Sequence, residues 1–496
     1  MNRLSKQKSR AVPLLAVLLL IIIASVAGTY LYQKLNPAPS CSVPLGNAKV
    51  LRTQLPTPTT FGGVTEYSLP SPLREPSAPT VAPDGSLWFA EQSVAGLAHF
   101  YPTNGTLVEY AWPFDYQAPP SNGGICGEKT STWGVALWDG KVWASDTSGN
   151  QLVAFDPSTE QVTTVKLPMN FSFPYTLTPG PNDTLWFTEL FSGQVGVLSS
   201  SGALREYPLP GGANAEPSQI VFANSTTGYY SDVGASDPKE GGIYSFNTTR
   251  FSPTLVGGLR LFDPSSLALS SDALWVALHG SSSVAAYNFT TKNWSYYPTS
   301  PVSYYSTTLP YFVIGNGSSV WVNEHYGNRI ARIDVTSGTL SEYSEANTPV
   351  NGSTIGNALT FALGGGRAWF TESTGNIIGY VSAAYDPGFS TSIAGNSTVV
   401  ISSGSSRSVN LLVHDTTHQG PLSLSFADSE SLDSTPSNLT FSVTSTSVSP
   451  PAGGESSITV TVSALQSLKP GTYYAILTAT DGLTYESSLL KIIISP

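Results

Sequence analysis

Six carboxylates punctuate this chain at the ends of short aromatic runs: Glu91, Asp146, Glu189, Asp232, Glu324 and Glu372. Acids that converge on one opening would bind Mg²⁺ or Ca²⁺ through oxygen ligands, or hold a cationic ligand. Glu324 and Glu372 are the expected metal ligands, and Glu91, Asp146, Glu189, Asp232 and Glu372 the expected ligand-binding set. The competing role is repeat-building, with each acid accepting hydrogen bonds from its own unit. His279 and His325 each fall four residues after an aromatic anchor, Trp275 and Trp321, in consecutive units. An imidazole pair beside Glu324 could move a proton or hold a metal, so His325, Glu324 and His279 form the candidate catalytic group. His99 sits within an expected strand, and His414 and His418 read as surface residues near the C-terminus. No Ser-His-Asp grouping, phosphate loop or Cys/His cluster is legible. Cys41 and Cys126 are a candidate disulfide, too few for a disulfide-built scaffold.

The acids belong to repeats. In order the runs are LWFAE (87–91), VWASD (142–146), LWFTE (185–189), GYYSD (228–232), LWVAL (274–278), VWVNE (320–324) and AWFTE (368–372). The anchors lie 43–48 residues apart after one longer first interval, which holds an insertion at 114–132. An all-β repeat of this period is a propeller blade. Each unit carries a Pro-led strand, a turn, the aromatic strand, a Gly/Asn turn, a third strand, and a last strand such as LVEYAWP, LREYPLP or LSEYSEA. The aromatic strand is apolar on both faces because blades pack on both sides.

The ends fix the topology. The seventh unit stops after GNIIGYVSAAYDPGF (375–389), without a fourth strand, and a matching strand, VTEYSLP (64–70), precedes the first unit. An N-terminal strand that completes the last blade closes the ring and removes an exposed edge. Shorter alternating strands from 390 onward, with turn signals every 8–12 residues, predict an immunoglobulin-like sandwich. The expected class is all-β: a seven-bladed β-propeller (64–389), a C-terminal β-sandwich (390–496), a Pro-rich linker (34–63), and one N-terminal transmembrane helix within a cytoplasmic tail and anchor (1–33).

That helix is read from an apolar run at 11–32, preceded by Arg3, Lys6, Lys8 and Arg10. The length suits a bilayer, and the flanking charge places the tail in the cytoplasm and the bulk of the chain outside. A cleaved signal peptide is the alternative reading. Sequons at Asn104, Asn170, Asn182, Asn224, Asn247, Asn288, Asn293, Asn316, Asn351, Asn396 and Asn438 suggest a glycoprotein. A net charge of −11 disfavours a nucleic-acid partner.

The strings LWFTE…GQVGV…LREYPLP (185–210) and AWFTE…GNIIGYV (368–381) resemble repeats of the streptogramin B lyase, or virginiamycin B lyase, family over about residues 64–389. The resemblance implies ring opening of a cyclic depsipeptide by elimination, with Mg²⁺, and a catalytic His in a Pro-His-x-Ile motif shortly before a WFTE acid. Here the corresponding slots hold Ser77, Thr132, Tyr175, Ser218, Ser265, Tyr311 and Asn357, with no histidine among them. The sequence therefore favours a membrane-anchored extracytoplasmic protein that binds a glycan, peptide or protein at the propeller face through its many tyrosines and tryptophans. A metal-dependent lyase or hydrolase built on the acids and the His pair is the alternative. A purely structural envelope component is a third reading.

Overall fold

The computed structural model describes residues 48–495, except for short segments at 71–73, 93–95, 113–131, 235–240, 259–260, 262, 303–306, 316, 346–357, 419 and 429–438. Seven antiparallel sheets follow one another along residues 64–382, each ordered from an inner strand outward. The inner strands are Pro76–Val81, Thr132–Trp138, Pro174–Gly180, Pro217–Phe222, Pro264–Leu269, Pro310–Gly315 and Ala358–Gly364. Each touches the next, and the seventh touches the first, so the sheets form a ring.

The aromatic repeat is the wedge between blades. Trp88 packs with Val142 and Phe155 of blade two, and Trp143 with Leu185 and Phe187 of blade three. Trp186, Trp275, Trp321 and Trp369 each reach the following blade in the same way. The alternate residues, such as Phe89 and Leu87, pack backward, here onto Trp369, Tyr67 and Ile378 of blade seven. A strand buried on both faces reads as a near-continuous apolar run, as these do up to their polar last residues.

Val64–Ser68 pairs antiparallel with Ile377–Ser382, Val64 opposite Val381, and supplies blade seven's outer strand. The preceding segment, expected as a linker, is also built into the ring. Lys49–Gln54 adds a fifth strand to blade one through Val50 opposite Tyr110, and Thr59–Phe61 borders Val64–Ser68. Two outer edges are thereby covered.

The C-terminal sandwich is joined edge to edge with blade six. Leu340–Ser344 pairs with Thr484–Ser495, Leu340 opposite Ser487, so one nine-stranded sheet runs from the propeller into the sandwich. The second sheet (Phe389–Ile393, Ser406–Asp415, Glu455–Ala464, Leu439–Val443) closes over cores that contain Leu411, Val413, Val460, Val462, Leu477 and Ile492.

The expected transmembrane helix requires correction. Among the described residues no helix is long and apolar enough to cross a membrane, and the apolar run at 11–32 lies outside them. Membrane partnership and the single-pass, extracytoplasmic placement were read from that run and from the sequons; no described helix supports them, and both are withdrawn. Cys41 and Cys126 also lie outside the described residues.

The sequons have a local explanation. Asn104, Asn224, Asn247, Asn288 and Asn396 each accept, through Oδ1, the backbone N–H two residues on, at 2.9–3.0 Å. Asp156 and Asp334 do the same for Ser158 and Thr336. The Asn-x-Thr spacing is thus Asx-turn chemistry at hairpin ends, where Asp serves equally well.

Candidate functional site at the channel mouth

The register places every repeat acid at one end of the ring, opposite the first residue of its inner strand: Pro76 faces Glu91, Thr132 faces Asp146, Pro174 faces Glu189, Pro310 faces Glu324 and Ala358 faces Glu372. The next residue of each inner strand is then Ser77, Trp133, Tyr175, Ser218, Ser265, Tyr311 and Leu359. Trp133 and Leu359 thus replace Thr132 and Asn357 in the slots read from sequence, because those two blades lack the proline that marks the register. No slot holds a histidine.

The acids turn into their own blades and do not converge on the channel. All six are buried. Asp146 accepts from the Gly149 N–H at 2.8 Å and from Gln151 Nε2 at 2.7 Å. Asp232 accepts from Glu216 and Gly234 backbone N–H groups. Glu324 lies 3.5 Å from Arg329 Nε, and Glu189 accepts from Ser192. A Cβ at Gly149, Gly327 or Gly375 would strike the carboxyl group of Asp146, Glu324 or Glu372, so the acid fills the space under the Gly-Asn turn. The Asn that follows, Asn150, Asn328 or Asn376, sits at positive φ, where Asn is tolerated. Asn150 and Asn376 then bond the loop that enters the next blade or closes the ring.

A second acid, from the last strand of the blade, joins several of these. Glu109 hydrogen-bonds Arg74 at 2.6 Å beside Glu91, and Glu342 lies 3.8 Å from Arg329 beside Glu324. Burial and then Glu109 push Glu91 up to about 8. Burial raises Asp146 to about 6 and Glu189 to about 7, and holds Glu324 well above the carboxylate range despite Arg329. The second acid was legible in the strings LVEY, LREY, LSEY and VTEY, whose Glu recurs like the Trp-strand acid.

Mg²⁺, which the family resemblance implies, asks for several oxygen ligands around one point. Among the described residues no group of three His, Cys, Asp or Glu side chains could hold a metal. The carboxylates pack under the turns of separate blades and gather no set of oxygen ligands around one point, so the donor set does not fit that ion.

The histidines are different. In the five blades with an inner-strand proline, the backbone N–H of the residue after the acid position donates to the carbonyl of the residue before that proline, as in His279 to Asp263 and His325 to Leu309, at 2.9 and 3.0 Å. His279 and His325 therefore hold equivalent positions on blades five and six, at the mouth. Their rings stand 5.4 Å apart at 85°, with Tyr311 at 5.2 Å from His279 and 4.3 Å from His325. His279 Nδ1 is 3.1 Å from Asp263 Oδ2, and both side chains are partly open, at 28% and 29%. Asp263 has a φ of 50°, an uncommon geometry for a residue before proline that Glu75, Phe173 and Leu309 repeat at the same slot. Burial and then His279 push His325 well below the usual imidazole range, against a hydrogen bond to the Ala358 carbonyl. His325 is thus a neutral ring.

The channel itself is narrow. Tyr175 and Tyr311, from blades three and six, meet hydroxyl to hydroxyl across it, and Trp133 stacks on Tyr175 at 5.1 Å. A small cavity is lined by these three rings together with Ser218, Gln219, Ser265 and Thr360. Glu216, in the same slot as Asp263 on the neighbouring blade, is raised to about 7 by burial, then by Asp232 and Asp263.

Two further histidines lie in hydrogen-bonded chains away from the mouth. His99 Nε2 lies 2.6 Å from Ser86 Oγ, which donates to Asp84, and the ring stacks on Trp88 at 3.9 Å. His414 bridges Ser392 and Glu455 on the sandwich surface.

With this geometry in place, similarity to known proteins is informative. The virginiamycin B lyase family profile matches residues 52–238. A virginiamycin B lyase from Nocardia farcinica is 32% identical over 146 residues, 29% of this chain and 46% of that protein. The chain thus spans about half the length of the curated relative it matches. The solved virginiamycin B lyase from Staphylococcus aureus superposes with a TM-score of 0.53 at 20% identity, covering 64% of this chain and 98% of that one. A streptogramin B lyase structure gives 0.52 at 21% identity, covering 64% and 96%. This chain carries a β-propeller-like fold related to the virginiamycin B lyase family. The expectation of a membrane-anchored surface binding protein is corrected: among the described residues no helix could serve as its anchor, and the proteins named here as similar are lyases.

Proposed function

We propose that this lyase-related propeller is an acid–base enzyme that opens a carbon–oxygen bond at its channel mouth. His279 is the proton acceptor and Asp263 the group that orients it. The observation that carries the reading is the Asp263–His279 contact, which fixes Nδ1 and leaves Nε2 for a proton. His325 and Glu324 are buried beside this mouth and take no part in the proton transfer.

The step is an elimination from an ester. His279 removes a proton from the carbon next to the oxygen-bearing carbon. The freed electron pair forms the C=C bond, the C–O bond breaks, and the carboxylate departs. Glu216, held protonated toward neutral pH, is the group to hydrogen-bond that departing carboxylate. Hydrolysis of an ester by a water activated at His279 is the neighbouring chemistry. The related lyases point to cyclic depsipeptides as the first substrates to assay.

The test is incubation of the purified chain with quinupristin, the compound held by a solved relative, with mass spectrometry to follow linearisation. A product of unchanged mass marks elimination, and a gain of one water marks hydrolysis. His279→Ala should lower turnover by about 10²-fold or more. Full turnover in folded His279→Ala protein refutes the assignment.

A further inference from the structure

We propose that His279 and His325 together form a binding site for a divalent transition ion of the zinc, copper or nickel type. Each imidazole has one nitrogen engaged, His279 Nδ1 with Asp263 and the His325 ring with the Ala358 carbonyl. Both Nε2 atoms are buried and lack a hydrogen-bond partner. A carboxylate or carbonyl on one nitrogen is what sets the tautomer of a metal-ligating histidine and presents the other nitrogen to the ion.

The spacing fits. A metal–nitrogen bond of about 2.0 Å, with the ring centre about 1.2 Å beyond, puts two rings on a tetrahedral ion roughly 5.2 Å apart. The observed separation is 5.4 Å, with the rings nearly perpendicular. The Tyr311 ring walls the space on the third side. Imidazole nitrogens suit zinc, copper and nickel, whereas magnesium and calcium want oxygen. With two protein ligands the ion keeps open positions for water or a substrate carbonyl.

An occupied Nε2 has no lone pair for a proton, so the ion is a switch that turns His279 off as a base. This consequence rests on the catalytic role proposed above, whereas binding itself does not.

The experiment titrates Cu²⁺ into untagged full-length protein by calorimetry and records the electron paramagnetic resonance spectrum. One equivalent with coupling to two nitrogens is expected. His279→Ala and His325→Ala should each weaken binding at least tenfold, and Asp263→Asn by about 10–100-fold. His414→Ala, on the sandwich surface, should change nothing. If His325→Ala fails to fold, His279→Gln alone decides, since that side chain is partly exposed. Unchanged affinity in a folded His279 variant, or a spectrum without nitrogen coupling, overturns the site. Quinupristin turnover that continues at saturating Cu²⁺ refutes the base assignment and leaves the site standing. Turnover lost in His279→Ala protein whose Cu²⁺ binding is intact refutes the site alone.

Discussion

Replacing Glu189 by Gln should stabilise the propeller at pH 8 and leave it unchanged at pH 4. Glu189 has no exposed surface, and burial, followed by the charge of Glu206, lifts its carboxyl from the ordinary 4.5 to about 7. A folded-state value above the unfolded one means that the folded chain holds the proton more tightly. The resulting stability is fully present below 4.5 and is lost as pH rises through about 7. The gap corresponds to about 3 kcal/mol at most. Gln keeps the shape and an acceptor for the Ser192 hydroxyl, but never ionises. Urea unfolding of both proteins at half-unit steps from pH 4 to 8.5 gives the difference directly. The variant's advantage should grow from near zero at pH 4 to roughly 2–3 kcal/mol at pH 8. A pH-independent difference, or one that grows toward acid, would show that the carboxylate is ionised in place and that the repeat acids are ordinary anionic caps.

The same logic extends to the whole chain. Glu91, Asp146, Glu216 and Glu486 are also raised, to about 8, 6, 7 and 8, so the melting temperature should fall between pH 5 and pH 8. His99, lowered to about 4, adds the opposite slope only below its ordinary 6.5. Trp321→Ala removes a fully buried wedge between blades six and seven and should cost about 3–5 kcal/mol by denaturant unfolding. Removal of residues 1–68 strips blade seven of its outer strand, so Trp369 fluorescence should shift red and the fold should open; an unchanged spectrum would refute ring closure. Removal of 390–496 bares the Leu340–Ser344 edge and Arg329, which lies over the Tyr485 ring at 4.6 Å; aggregation in light scattering is the expected result.

The ring was legible because its causes are periodic and local. A Trp that must fill the space between blades recurs once per blade, and the Gly-Asn turn recurs with the acid packed under it. The displaced strand at Val64 was legible because a ring has no free end to leave unpaired. The linker was misread because Lys49–Gln54 is exposed along its length and holds to blade one mainly through backbone pairing, which composition does not reveal. The slot residues Trp133 and Leu359 were missed because Thr132 and Ala358 stand where the other blades carry the proline that marks the register.

Sequence by itself determined the blade count, the aromatic wedges, the turn chemistry and the absence of a histidine in every slot, because each is set by residues close together in the chain. Tertiary structure alone decided which way the acids face. The same Glu can line a mouth or plug a turn, and only the space under Gly149, Gly327 and Gly375 shows that it plugs the turn. It also decided that Asp263 reaches His279, that His325 stands against it from the next blade, and that blade six continues into the sandwich. Those contacts join residues distant in the chain, and their energies depend on packing that no local pattern encodes.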